Sequence, residues 1–218
     1  GKGPALAVLA LLCSAAPASA QDEAPIRVGC LGDSITFGSA SGVDGPDSAH
    51  FSYPAVLGSI LGSGFEVRGF GAGGHALRSD APLVFANSEM ATRAMAFAPD
   101  VAVIVLGTND TVLESEYDGF GEDVDGLVAR LRTANPDVVV WLSSPPQMFP
   151  WREGLEPSRR ANLEARRPWL DRITEKLERI AGEREGVDFV DVRDVLRPRD
   201  VTDGVHLNPF GAERLAYR

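Results

Sequence analysis

Val101-Ala102-Val103-Ile104-Val105-Leu106 runs without interruption into Gly107-Thr108-Asn109-Asp110. The six apolar residues are rich in β-branched side chains and show no polar alternation. That pattern belongs to a strand covered on both faces, as in the middle of a parallel sheet. The glycine and the polar triplet that follow are turn formers and end the strand sharply. A buried parallel strand requires helices above and below it, so this segment commits the chain to a layered α/β fold.

Outward from there, the same signals repeat. Ile26 to Leu31 is an apolar run ended by Gly32-Asp33, and Val138 to Leu142 and Val187 to Val190 read as further strands. Phe65-Glu66-Val67 is a weaker strand leading into a glycine cluster, Gly69 to Gly74. Helical spacing of apolar residues covers Tyr53 to Leu61, with Ser52 as a cap and Gly62 as a stop. Residues near Ala86 to Phe97, Glu122 to Thr133 and Asn162 to Ala181 read as helices, and Pro209 starts a last one. Asp123 and Asp125 fall in the first turn of their helix, where the dipole favours acids. Strands alternating with helices predict right-handed crossovers and a three-layer α/β/α sandwich on a five-stranded parallel sheet. The longest irregular stretch, Ser143 to Ala161, holds four prolines and reads as an active-site loop.

The chain has 218 residues, with 44% hydrophobic and 24% charged, the composition of one globular domain. Its formal net charge of −10 argues against a nucleic-acid or anionic-membrane partner. Lys2 and Lys176 are the only lysines, and neither stands in a phosphate loop, which argues against a nucleotide triphosphatase. Residues 1–20 have the order of a secretory signal: Lys2, an apolar run from Ala5 to Leu12, then Ala18-Ser19-Ala20. The run is too short for a membrane span, and Cys13 follows the bulky Leu12, which suits a lipoprotein site poorly. The expectation is an exported protein, secreted or periplasmic, with a single domain over residues 21–218 whose last helix is cut short. Cleavage leaves Cys30 alone in an apolar stretch, where it reads as a small core residue.

Ligands of such sheets bind beyond the carboxyl ends of the strands, and four polar clusters fall there. Gly32-Asp33-Ser34 places a hydroxyl on the turn after the first strand, although all three are also ordinary turn residues. Asp203-Gly204-Val205-His206 puts a carboxylate three residues before an imidazole. That spacing lets it fix the ring tautomer, or alternatively cap backbone amides of the turn. Asn109 closes the central strand and can donate to a developing oxyanion, while Asn-Asp is also a common turn pair. In the glycine cluster a backbone amide can approach a ligand closely. Dispersed histidines and one remaining cysteine give no zinc spacing, and the run Asp118, Glu122, Asp123, Asp125 lacks the order of a calcium loop, so no metal and no cofactor are expected.

Taken in order, Gly-Asp-Ser near the N-terminus, a glycine after the second strand, Gly-x-Asn-Asp after the third and Asp-x-x-His near the C-terminus resemble the SGNH (GDSL) hydrolases. The resemblance spans nearly the whole exported chain. It implies a flavodoxin-like sheet with Ser34 as nucleophile, His206 as base and Asp203 as its orienting partner. The oxyanion donors it implies are the Ser34 amide, a glycine amide and the Asn109 side chain. The glycine is Gly74, with Gly71 as the fallback, since Gly69 stands where the family commonly has Asn. Gly-x-Ser-x-Gly, the elbow of the α/β-hydrolases, is absent.

Phe51-Ser52-Tyr53-Pro54, Phe97-Ala98-Pro99-Asp100 and Gly107-Thr108-Asn109-Asp110 look most like bacterial carbohydrate O-acetylesterases of the sialate type. That implies a small-molecule or glycan ester as substrate. Met148, Phe149 and Trp151 instead suggest a groove for longer acyl chains, as in a lysophospholipase or thioesterase, unless they pack on the core. Transfer of the acyl group to a sugar uses the same triad, and a cofactor-binding flavodoxin-like protein is the reading outside the esterases. His50 and His75 stand near the expected rim.

Overall fold

The computed structural model describes residues 24–39 and 51–218, so the expected signal segment and His50 lie outside the described residues. Five strands form one parallel sheet: β1 (Ile26–Gly32), β2 (Phe65–Gly71), β3 (Val101–Val105), β4 (Val139–Ser143) and β5 (Val187–Val190). Their spatial order is β2-β1-β3-β4-β5, which puts the apolar strand that opened the sequence reading at the centre. The register sets Cys30 beside Gly69 on one side and Val103 on the other. The helices are α1 (Ser34–Phe37), α2 (Tyr53–Leu61), α3 (Glu89–Phe97), α4 (Phe120–Ala134), α5 (Pro157–Gly182) and α6 (Pro209–Ala216).

The period of two along the strands builds two cores. Ala102 and Ile104 of β3 join Val140 and Leu142 of β4 in a cluster with α3, α4 and the later half of α5. Val105 of β3 points to the other face, where Val28 and Cys30 pack with α1, α2, α6 and Leu163 and Leu170 of α5. Cys30 is fully buried, as its apolar neighbours predict, and burial pushes its thiol up to about 12, out of reach of reactive chemistry. Truncating fully buried residues such as Leu31 or Leu142 to alanine would cost about 2–5 kcal/mol by cavity formation.

Three boundaries differ from expectation by three residues or more. β2 continues through Gly69 and Gly71, because there the missing side chains admit other elements. A Cβ at Gly69 would press on the Pro54 ring, and one at Gly71 would lie 2.2 Å from the backbone nitrogen of Phe37. α5 begins at Pro157, five residues early, with proline in the first turn where its lost N–H costs nothing. The helix expected from Ala86 begins at Glu89 behind a 3-10 turn, with Ser88 accepting from the Ala91 amide as its cap. Asp125 is not in the first turn of α4; it forms an ion pair with Arg184.

Candidate active site

The carboxyl ends of β1, β2 and β3 deliver three turns to one rim. Gly32 ends β1, and Asp33 caps α1 by accepting from the Ile35 amide at 2.9 Å, which fixes Ser34 as the first residue of that helix. Across the rim, Val201 and Leu207 form an isolated antiparallel bridge, and the Thr202 amide donates to the His206 carbonyl at 2.8 Å. This closes the turn that carries Asp203 and His206.

Ser34 Oγ lies 2.9 Å from His206 Nε2, and His206 Nδ1 lies 3.0 Å from Asp203 Oδ2. Residues 172 positions apart in the chain are thus in hydrogen-bond contact. The Asp203 carboxylate is held well below the usual range. Burial alone would raise it, but hydrogen bonds from the His206 ring and amide, with the charges of His206 and Arg159, outweigh that. An ionised Asp203 only accepts, so Nδ1 donates to it, which leaves Nε2 facing the Ser34 hydroxyl. Asp203 Oδ1 meanwhile accepts from the Val205 and His206 amides at 3.1 and 2.8 Å. One oxygen thus caps the turn while the other faces the ring. Arg159 of α5 closes the group, donating to Asp203 Oδ2 at 2.9 Å and to its carbonyl at 3.1 Å.

The opposite side of Ser34 is built from the turn after β3 and the loop after β2. Asn109 Nδ2 donates to the His75 carbonyl at 3.0 Å and stands 3.4 Å from Asp33 Oδ2. Asp110 accepts from the Leu77 amide at 3.1 Å and from the Arg78 amide at 2.8 Å, which ties the loop after β2 to the turn after β3. Both acids are buried. Burial pushes Asp33 up to about 7, with Asp110 adding repulsion, and burial likewise raises Asp110 against the backbone donors that favour its charge. Arg166 of α5, also buried, donates to Thr111 Oγ1 and to the Thr108 carbonyl, each at 2.8 Å.

The glycines separate by position. Gly71 ends β2 against Phe37, so its missing side chain serves packing. Gly74 lies in the exposed turn beyond, in the left-handed region with φ 75°, and a Cβ there would meet only Leu83. Between them, the Cβ position of Gly73 falls 4.0 Å from Ser34 Cβ, which sets this turn directly beside the hydroxyl. His75 follows, its Nδ1 donating to the Gly73 carbonyl at 2.9 Å.

In the loop after β4 the packing alternative holds for two of the three apolar residues. Met148 and Phe149 are buried in the core, so of the three apolar loop residues only Trp151 reaches the surface, at 47% exposure. Its ring is fixed edge-on against Phe149, with the Arg167 guanidinium 4.6 Å from its centroid. The segment joins the His206 side through the Phe149 amide on the Gly204 carbonyl and Arg152 on the Val201 carbonyl. Asp33, Arg159 and Arg166 are the site residues that sequence reasoning did not assign. Among the described residues no helix is long and apolar enough to cross a membrane, and no group of three or more His, Cys, Asp or Glu could hold a metal ion.

Comparison with known proteins points one way. The GDSL-like Lipase/Acylhydrolase family matches residues 30–214. A stretch of 115 residues is 39% identical to an acetylxylan esterase of Xylanibacter ruminicola, covering 52% of this chain but only 23% of that protein, so the match spans about a quarter of the relative's length. A carbohydrate acetylesterase family member from Sinorhizobium meliloti superposes with a TM-score of 0.70 at 24% identity, over 88% of this chain and 93% of that one. The aryl esterase of M. smegmatis gives 0.65 at 22% identity, over 88% and 94%. These two likenesses establish a shared fold.

Proposed function

The chain belongs to the GDSL-like lipase/acylhydrolase family, and from that premise we propose that it is a serine esterase releasing small acyl groups, acetyl foremost, from carbohydrate. The observation that carries the proposal is the unbroken relay Asp203–His206–Ser34, with contacts of 3.0 and 2.9 Å. A serine hydroxyl is a weak nucleophile until a base takes its proton. In this reading Ser34 Oγ adds to the ester carbonyl carbon as its proton passes to His206 Nε2, and Asp203 stabilises the imidazolium without being protonated itself. The carbonyl oxygen becomes an oxyanion facing the Ser34 and Gly74 amides and Asn109 Nδ2, which exchanges its long 3.4 Å contact with Asp33 for it and keeps its bond to the His75 carbonyl. Collapse of that intermediate breaks the bond to the alcohol, which leaves with the proton from His206. Water, activated by the same imidazole, then adds to the acyl-enzyme, and the acid departs as Ser34 regains its proton.

Gly74 is preferred to Gly71 because it lies in the exposed turn beside Ser34, whereas Gly71 ends a strand packed against α1. The burial of Met148 and Phe149 removes most of the surface a long acyl chain would need, and so favours a short one. Trp151 supports a sugar on the alcohol side, since a fixed half-exposed indole offers a plane on which a pyranose can stack at little entropic cost. Identity to an acetylxylan esterase supports an acetylated polysaccharide above a sialate. Export, with cleavage before Gln21, rests on the pattern of residues 1–20 and is checked by N-terminal sequencing of the released protein.

The test is a series of p-nitrophenyl esters from acetate to palmitate, beside acetylated xylan and O-acetylated sialic acid, with Ser34→Ala as control. Highest kcat/KM on acetate and release of free acetate from xylan are expected. Rising rates with chain length would turn the reading to lipids; turnover by folded Ser34→Ala equal to the parent would end it.

A further inference from the structure

Arg166 is 7% exposed, yet among the described residues no carboxylate forms an ion pair with it. Charged side chains are almost never buried without a partner, and arginine cannot escape by losing its proton. Its guanidinium is desolvated, with the charges of Asp33, Asp203 and Glu114 acting only at longer range and Arg159 opposing them. What it does touch is one short turn. Nε donates to Thr111 Oγ1 and Nη2 to the Thr108 carbonyl, both at 2.8 Å, and Thr111 Oγ1 donates to that same carbonyl at 2.6 Å. Thr108 and Thr111 bracket Asn109 and Asp110, so the three bonds clasp the turn that carries Asn109, whose amide donates to the His75 carbonyl and stands 3.4 Å from Asp33 Oδ2.

We propose that Arg166 is a positioning residue for the oxyanion hole, clasping the Thr108–Thr111 turn so that the Asn109 amide is held in place before the substrate arrives. The inference rests on the assignment of Asn109 as an oxyanion donor. Preorganisation is what gives such a donor its value, because a donor that must be ordered during the reaction stabilises the transition state less. Two independent bonds from a planar fork define an orientation that a single ammonium cannot. The loss on removing Arg166 therefore falls on kcat, and it disappears when Asn109 is already absent.

A double-mutant cycle on p-nitrophenyl acetate tests this, using Arg166→Met, Asn109→Ala and both together. Arg166→Met is expected to lower kcat tenfold or more with KM within about threefold. In the Asn109→Ala background the same change should cost less than twofold. Arg166→Lys should recover part of the rate. Should Arg166→Met fail to fold, Thr111→Val removes one of its two anchors and replaces it in the cycle with the same expected coupling. Losses that multiply across the cycle overturn the inference while leaving the esterase reading intact. Undiminished kcat in Asn109→Ala overturns the oxyanion assignment and the inference with it, and the Ser34→Ala control reports separately on the nucleophile.

Discussion

The two halves of the rim that flank Ser34 are built on opposite electrostatic plans. The half that carries His206 is wet: the Asp203 and Arg159 side chains are 39% and 30% exposed, and the His206 ring 25%. The half that carries Asn109 is dry: Asp33, Asp110, Thr111 and Arg166 are all buried. In the proposed mechanism a proton enters and leaves the first half, and an imidazolium there needs an ionised partner, so access to water and a low carboxylate pKa suit it. In the same proposal negative charge appears only fleetingly in the second, where fixed dipoles in a low-dielectric surround are worth most. The difference teaches that the Arg159–Asp203 ion pair on the wet side is replaceable, whereas the buried contacts on the dry side are not.

Several substitutions would break or sharpen that contrast. The largest effect belongs to the residue that the two halves share a substrate with: His206→Ala should lower kcat/KM by several orders of magnitude while the thermal transition stays close to that of the parent. Asn109→Ala, on the dry side, should cost about a hundredfold or more in kcat, since one oxyanion donor is worth ~2.7–4 kcal/mol; a loss under tenfold would contradict the contrast.

Asp33 reports the dryness directly. Its pKa in the folded protein is raised to about 7 from 3.8, so between those values the native state holds a proton that the unfolded chain has released. Stability from this group is therefore present below pH 4, falls as pH rises through 4 to 7, and is level above. The Tm of Asp33→Asn should decline less than that of the parent across that window, measured by thermal melts in steps of one pH unit. Parallel curves for the two proteins would show Asp33 ionised and the half wetter than described. The smallest effect is expected on the wet side: Arg159→Gln should change kcat/KM about fivefold or less, because partly exposed ion pairs contribute ~0–1 kcal/mol.

The same contrast explains what could be read from the sequence. The strands and the polar turns that carry Ser34, Asn109, Asp203 and His206 are legible because apolar runs end abruptly in polar turns, and a parallel sheet brings such turns to one rim. β2 was read short because glycine is a poor strand former, and only the neighbours show why Gly69 and Gly71 are there. Arg159 and Arg166 do not stand out in the sequence because each sits in an arginine pair on a strongly charged helix, which reads as a solvated face. One signal was available. Leu163, Leu170, Ile173, Leu177 and Ile180 form the buried stripe of α5, and Arg166 falls on that stripe, three residues after the first leucine and four before the second. A cation in a row of leucines marks a buried charge. Asp33 gave no such warning, because an aspartate before a helix is ordinary capping chemistry.

Arg159 and Arg166 leave the same helix seven residues apart, close to two full turns, so they emerge on one side about 10 Å from each other. The helix is thus a spacing bar that sets the distance between the turn carrying Asp203 and the turn carrying Thr108 and Thr111. Lengthening the loop before Pro157 would leave that gauge intact. Inserting a single residue between the two arginines would swing one of them about 100° around the axis, so that no rigid placement of the bar could serve both ends.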